Sequence, residues 1–232
     1  MDACYTPKIP DRPYPIVLIG AGGIVKDAHL PAYRKAGLPV WGACDLEIER
    51  AEALRSEFGF EAVFDRVASA VAAAPADAVY DIAVPASAVA ADLEQLPEGA
   101  HVLVQKPMGE NMEQARAIRD VCRRRKLAAA VNCQLRYAPF VTAARRLIAE
   151  GRIGELIDVE MRLTVYTPWH LFTFLEGLPR VEILYHSIHY IDLIRSFLGD
   201  PRSVMARTVS HPDAERLASV RSALILDYAD PL

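Results

Sequence analysis

Ile16-Val17-Leu18-Ile19-Gly20-Ala21-Gly22-Gly23-Ile24-Val25 is an apolar run that stops on glycines and resumes in a sequence with helical spacing. Four consecutive aliphatic residues predict a strand buried on both faces, and the glycines after it predict a turn too tight for a Cβ. A helix over 23–33 would then point its first N–H groups and the positive end of its dipole at a pyrophosphate. Gly20, Gly22, Gly23 and Ile24 are the candidate contacts. An ordinary βα turn has the same look, and the third small position of the dinucleotide fingerprint falls on Val25, so the helix is expected to stand off the strand or repack there. Asp45 tips the balance. It lies 23 residues beyond Gly22, at the end of the apolar segment Pro39-Val40-Trp41-Gly42-Ala43-Cys44. A carboxylate at the tip of a second strand can accept both hydroxyls of an adenine ribose and repels a 2′-phosphate, so the expected cofactor is NAD rather than NADP.

The rest of the first half repeats the same rhythm. A helix over 46–58 stopped by Gly59, a short strand 62–64, a short helix 67–74, a strand 78–84 ending at Val84-Pro85, a helix 86–96 and a buried strand 101–104 follow in order. A helix over 110–126 and a strand 127–131 close the unit. Such βαβ repetition with short connections implies a doubly wound parallel sheet, in which ligands collect at the carboxyl ends of the strands. Gly20, Asp45, Val84-Pro85 and Gln105-Lys106-Pro107 all fall at such ends. Residues 1–131 are therefore expected to form a nucleotide-binding Rossmann domain.

From Asn132 the pattern changes. A helix over 138–150 ends in Gly151, and Leu156 to Tyr166 alternates, with Ile157, Val159, Met161, Leu163 and Val165 on one side. That alternation predicts a strand covered on one face, as in an open antiparallel sheet. Ser219 to Tyr228 repeats it, and Ser203 to Ser210 is a weaker third strand. A long helix over 181–198, stopped by Gly199, lies between. Residues 132–232 are expected to be a second, α+β domain for substrate and for self-association. On the long helix, Tyr185, His189 and Asp192 stand at i, i+4 and i+7, one adjoining stripe. Alone, that spacing suits a core histidine and a surface acid.

Composition bounds the partners. With 232 residues, 52% hydrophobic and 24% charged, the chain is of ordinary globular type. A net charge of -4 argues against a nucleic-acid surface, and the basic run Arg123-Arg124-Arg125-Lys126 ends a helix, where cations complement the dipole. The four cysteines, Cys4, Cys44, Cys122 and Cys133, have no C-x-x-C pairing and are read as reduced thiols of a cytoplasmic protein. No stretch has the length and apolarity of a signal or membrane-spanning segment. No metal site is expected.

The motifs together resemble the glucose-fructose oxidoreductase / inositol dehydrogenase / MocA family. They are Gly20-Ala21-Gly22-Gly23-Ile24 followed by His29-Leu30-Pro31-Ala32-Tyr33, Lys106-Pro107 after a buried strand, Asn132 to Pro139 with Arg136, Gly151-Arg152-Ile153-Gly154-Glu155, and His189-Tyr190-Ile191-Asp192. The resemblance implies a Rossmann domain, an α/β domain with an open antiparallel sheet, and an NAD(P)-linked reaction on a sugar, polyol or related compound. It also implies a cis bond before Pro107 that aims Lys106 at the nicotinamide, and a homo-oligomer built through the second sheet. Three positions depart from the family pattern: Gln105 stands for a glutamate, Tyr185 for an aspartate and Val25 for a glycine. The chain also stops where the family supplies further strands and a closing helix. The expectation is an incomplete second sheet whose apolar edge recruits other chains.

Oxidising a secondary alcohol needs a base for the hydroxyl proton, and an imidazole titrates in the right range. His189 is the expected acid/base, Lys106 the group that polarises the reacting oxygen, and Tyr185 an auxiliary hydroxyl. Arg136, Trp169 and His170 are further candidates for the substrate pocket. Two classes stay open: a dehydrogenase or reductase of this kind, and a cofactor-binding sensor without turnover, since both family carboxylates are replaced. Lys106 and His189 favour the first.

Overall fold

The computed structural model describes residues 9–167 and 175–228, and these fall into two compact units that divide between Asn132 and Cys133. The first unit is a six-stranded sheet of order β3-β2-β1-β4-β5-β6, every neighbouring pair parallel. Its strands are β1 (Ile16–Ile19), β2 (Val40–Cys44), β3 (Ala62–Phe64), β4 (Val79–Ile82), β5 (His101–Val104) and β6 (Ala128–Val131). Parallel strands need crossovers, supplied by α1 (Leu30–Ala36), α2 (Ile48–Phe58), α3 (Val67–Ala73), α4 (Val89–Glu94) and α5 (Met112–Arg124).

Period-2 alternation divides the sheet's side chains between two cores. Val17, Ile19, Tyr80, Ile82, Val102 and Val104 pack with α3, α4 and α5, while Ile16, Leu18 and Ala43 pack with α1 and α2. Burial on both faces is the reason β1 is a continuous apolar run. The chain reverses direction across the sheet between β1 and β4, which is where this topology opens a ligand crevice.

The helix after β1 runs through Ala36, three residues past its expected end, and is not uniform: Val25–His29 form a π turn before α1 begins. Val25, the residue where a small one is expected, is fully buried among Ile16, Leu18 and Leu30. The wide turn accommodates its side chain by repacking and brings His29 into the interior, at 7% exposure.

In the second unit, α6 (Pro139–Ala149) follows a short 3-10 turn at Gln134–Tyr137. The long helix spans the expected range but is interrupted two residues from its start by a π turn at Ile183–Ser187, before α7 (Ile188–Leu198). β7 (Ser203–Val209) and β8 (Arg221–Asp227) pair antiparallel, from Ser203 opposite Asp227 to Val209 opposite Arg221. The strand expected over Leu156–Tyr166 does not form. Its apolar alternation specifies a face but supplies no partner for the backbone, and β7 and β8 bond to each other rather than to it. Ile157, at 87% exposure, shows how little of that face is covered.

Candidate active site

The carboxyl ends of the first unit's strands are aligned. Ile19 pairs with Cys44 and with Ile82, Ile82 with Val104, and Val104 with Val131. The next residue of each strand continues the ladder: Gly20 N–H bonds to the Cys44 carbonyl, Ala83 to Ile19, Gln105 to Ile82 and Asn132 to Val104. Gly20, Asp45, Ala83, Gln105 and Asn132 therefore stand along one edge, with Val84 and Pro85 just beyond.

The glycines of the first turn do different things. Gly20 has φ +101°, and a Cβ there would lie 2.5 Å from the Ala83 carbonyl oxygen, so the close approach of β1 to β4 demands glycine. Around Gly22 a Cβ would meet nothing within 4 Å. The fold itself leaves that space open, as a phosphate cradle requires. Gly23 would meet only the end of Asp27, at 3.8 Å, and Ile24 is exposed. Asp45 accepts the Ala21 N–H on Oδ2 at 2.7 Å and the Glu47 N–H on Oδ1 at 2.9 Å, which pins the glycine turn to the tip of β2. Each carboxylate oxygen keeps lone-pair capacity for a further donor. Leu46 beside it is exposed and brings no cation. The residues present thus fit a nicotinamide dinucleotide: a glycine-rich turn, a helix start, and a carboxylate at the second strand tip.

Sequence reasoning missed a buried polar network just below this edge. Asp81, in the middle of β4 and 1% exposed, accepts on Oδ2 from His29 Nδ1 at 2.6 Å and from the Tyr33 hydroxyl at 2.7 Å. Burial and the Asp81 charge hold the Tyr33 phenol far above its ordinary range, so it stays a donor. His29 Nε2 faces the Gln105 carboxamide nitrogen at 3.0 Å and that of Asn132 at 3.4 Å. The Gln105 oxygen accepts the Lys106 N–H at 2.7 Å. The signal was present in the sequence: a charged residue inside the apolar run Ala78 to Val84 must find buried partners. Lys106 is half-buried, and the Lys106–Pro107 peptide is cis.

In the second unit, Arg136 and Asp192 come together. Arg136 Nε donates to Asp192 Oδ2 at 2.6 Å and Nη2 to Oδ1. The guanidinium holds the Asp192 carboxyl below the usual range, and burial with the nearby Asp192 charge pushes the Cys133 thiol up to about 11. Asp192 is thus a clamp for Arg136 rather than the lone surface acid the helical spacing allowed. Tyr185 packs against the small apolar cluster of Leu175, Val181 and Leu217. The π turn at Ile183–Ser187 ends just before His189, which is half-buried on α7. Trp169 and His170 lie outside the described residues.

A second feature of this unit was also missed. Glu182, 8% exposed, accepts from the Ser187 hydroxyl at 2.8 Å and 3.0 Å and from the Ser222 hydroxyl, and its own N–H donates to Ser219 Oγ at 3.4 Å. It sits at the wall of an open cavity of about 1350 Å3 lined by residues 157–165, α7 and β8. Among the described residues no group of histidines, cysteines and carboxylates has the spacing of a metal site, and no helix is long and apolar enough to cross a membrane.

Residues 15–133 match a family described as "Oxidoreductase family, NAD-binding Rossmann fold", and residues 141–230 match its "GFO/IDH/MocA C-terminal domain". The chain belongs to the GFO/IDH/MocA oxidoreductase family. Among its relatives, a 1,5-anhydro-D-fructose reductase of Ensifer adhaerens is 31% identical over 84% of this chain and 59% of its own length. A D-glucoside 3-dehydrogenase of Escherichia coli K12 is 27% identical over 82% of this chain and 55% of its own. The chain thus spans less than two thirds of the length of these two GFO/IDH/MocA relatives. Two solved structures share the fold. A scyllo-inositol dehydrogenase of Lactobacillus casei, with NAD(H) and scyllo-inositol bound, superposes with a TM-score of 0.74 at 20% identity, over 93% of this chain and 66% of that one. The WlbA dehydrogenase of Bordetella pertussis, with NADH and UDP-GlcNAcA, gives 0.75 at 22% identity, over 93% and 67%.

Proposed function

We propose that this chain belongs to an NAD-dependent oxidoreductase that moves a hydride between nicotinamide and a secondary alcohol or ketone of a sugar, a polyol or a related compound. The observation that carries the proposal is the aligned strand edge, on which Gly20, Asp45 and Gln105-Lys106 directly follow β1, β2 and β5. In this reading residues 1–131 hold the cofactor, through Gly20, Gly22, Gly23, Ile24, Asp45, Val84, Pro85 and Gln105, and residues 132–232 face the substrate. The relatives named above act, by their names, on an anhydro-sugar and a glucoside, which supports a sugar-like substrate. NAD is preferred over NADP because the Asp45 charge meets the 2′ position.

When bound, NAD supplies the hydride acceptor. The chain's own residues manage the proton and the oxygen. Lys106 donates hydrogen bonds to the reacting oxygen and stabilises the charge that develops on it. His189 takes the hydroxyl proton as the carbon–hydrogen bond breaks, and returns it in the reverse direction. Arg136, Trp169, His170 and Tyr185 are assigned to the substrate side. A cofactor-binding protein without turnover is the competing reading, favoured by the packing of Tyr185 into an apolar cluster, where a ring serves the core rather than the chemistry.

The test is absorbance at the reduced-nicotinamide band with NAD and a panel of sugars and polyols. Lys106→Ala and His189→Ala should each abolish turnover and keep NAD affinity within about tenfold. If either variant retains wild-type turnover, its catalytic assignment falls. If the wild-type chain binds NAD and reduces it with no polyol, the sensor reading takes its place.

A further inference from the structure

Lys106 N–H can only donate, so the Gln105 atom 2.7 Å away from it is the carboxamide oxygen, and the other end of that carboxamide is a pair of N–H donors. Those donors face His29 Nε2 at 3.0 Å, with the Asn132 carboxamide nitrogen at 3.4 Å from the same atom. A nitrogen approached by donors must accept. The ring proton of His29 therefore sits on Nδ1, where it points at Asp81 Oδ2, 2.6 Å away. Tyr33 adds a second donor to that oxygen, and Asp81 Oδ1 has no hydrogen-bond partner among the described residues. Every hydrogen in the series points the same way, from the Lys106 amide through Gln105 and His29 to the Asp81 carboxylate. Aligned donors of this kind polarise one another, and the low dielectric around them raises the cost of breaking any link.

We propose that His29 and Gln105 are positioning residues for Lys106: a buried, one-way hydrogen-bond relay anchored on Asp81 fixes the direction in which the Lys106 backbone leaves β5. The proposal rests on the reading of Lys106 as the polarising group only for its effect on turnover. The relay itself stands on the geometry. Gln105 is what gives it direction. A carboxylate at this position would accept both from the Lys106 N–H and from a protonated Nε2, and the ring would then carry two protons between two carboxylates. With Gln105, Nε2 meets donors and accepts, and the ring donates through Nδ1 alone.

The test is nitrogen NMR of the full chain with labelled histidine. At neutral pH, His29 Nε2 should give the signal of an unprotonated nitrogen and Nδ1 that of a protonated one. In Gln105→Glu both nitrogens should become protonated. In Gln105→Met the Lys106 amide should exchange its hydrogen about tenfold faster, and Gln105→Glu should restore the wild-type rate, because a carboxylate still accepts that N–H. A wild-type ring protonated on Nε2, or Lys106 exchange unchanged in Gln105→Met, would overturn the relay. On the functional side, Gln105→Met should lower kcat about tenfold with the substrate KM little changed. An unaltered kcat beside an altered nitrogen pattern would remove the positioning role. Absence of turnover in the wild type would strike the reading of Lys106 and leave the relay to be decided by the nitrogen signals.

Discussion

Arg136 and Asp192 form a two-pronged ion pair, Nε to Oδ2 at 2.6 Å and Nη2 to Oδ1, which ties the turn after β6 to the middle of α7. A planar guanidinium meeting both carboxylate oxygens is the stronger geometry for such a pair. The Asp192 side chain is 13% exposed and the Arg136 side chain 41%, so solvent screens part of the gain.

Arg136→Ala should lower stability by about 1 kcal/mol at pH 7, read from the midpoint of a urea transition. Because the Asp192 carboxyl is held low in the folded chain, its contribution is present above the unfolded aspartate value of about 3.9 and is lost as the pH falls through the lower folded value. The difference between wild type and variant should close below about pH 4. A gap that persists undiminished as the pH falls well below about 4 would contradict the pairing.

Two neighbouring glycines should separate fold from ligand. Gly20→Ala puts a Cβ 2.5 Å from the Ala83 carbonyl oxygen at φ +101° and should cost about 3 kcal/mol or more of stability. Gly22→Ala meets no atom of the chain within 4 Å and should leave the unfolding midpoint nearly unchanged. It should nonetheless weaken NAD at least about tenfold, since the added methyl occupies the space left for the pyrophosphate. Equal NAD affinity in wild type and Gly22→Ala would place the cofactor elsewhere.

Removing Asp81 should be costly because two donors lose their acceptor. Asp81→Leu leaves His29 Nδ1 and the Tyr33 hydroxyl unsatisfied in the interior and should cost about 3 kcal/mol or more, whereas Tyr33→Phe removes one donor and should cost about 1 kcal/mol. Denaturant unfolding of the two variants and the double variant checks it. In the double variant the loss should fall short of the sum of the two single losses, since both remove the same contact. Full additivity would mean that Tyr33 and Asp81 do not share an interaction.

What the sequence revealed follows from what each signal specifies. Ile16–Ile19 was legible because a strand covered on both faces is apolar at every position. Leu156 to Tyr166 misled because alternation defines a face without naming the strand that bonds beside it. Val25 broke the fingerprint, and the remedy, a π turn, depends on how that side chain packs between Ile16, Leu18 and Leu30, which no local pattern encodes. His29 stood in a quoted motif and Asp81 in a predicted strand, but their pairing joins residues 52 apart in the chain. The Arg136 contact to Asp192 was hidden in the same way, at a separation of 56.

A nicotinamide dinucleotide lying on the strand edge with Asp45 at its adenine ribose is tested by calorimetric titration of the 232-residue chain with NAD and with NADP. One equivalent of NAD should bind saturably, with NADP weaker by about tenfold or more, because the added phosphate meets the Asp45 carboxylate and the exposed Leu46 offers no cation. NADP binding as tight as NAD, or no binding of either, would contradict it.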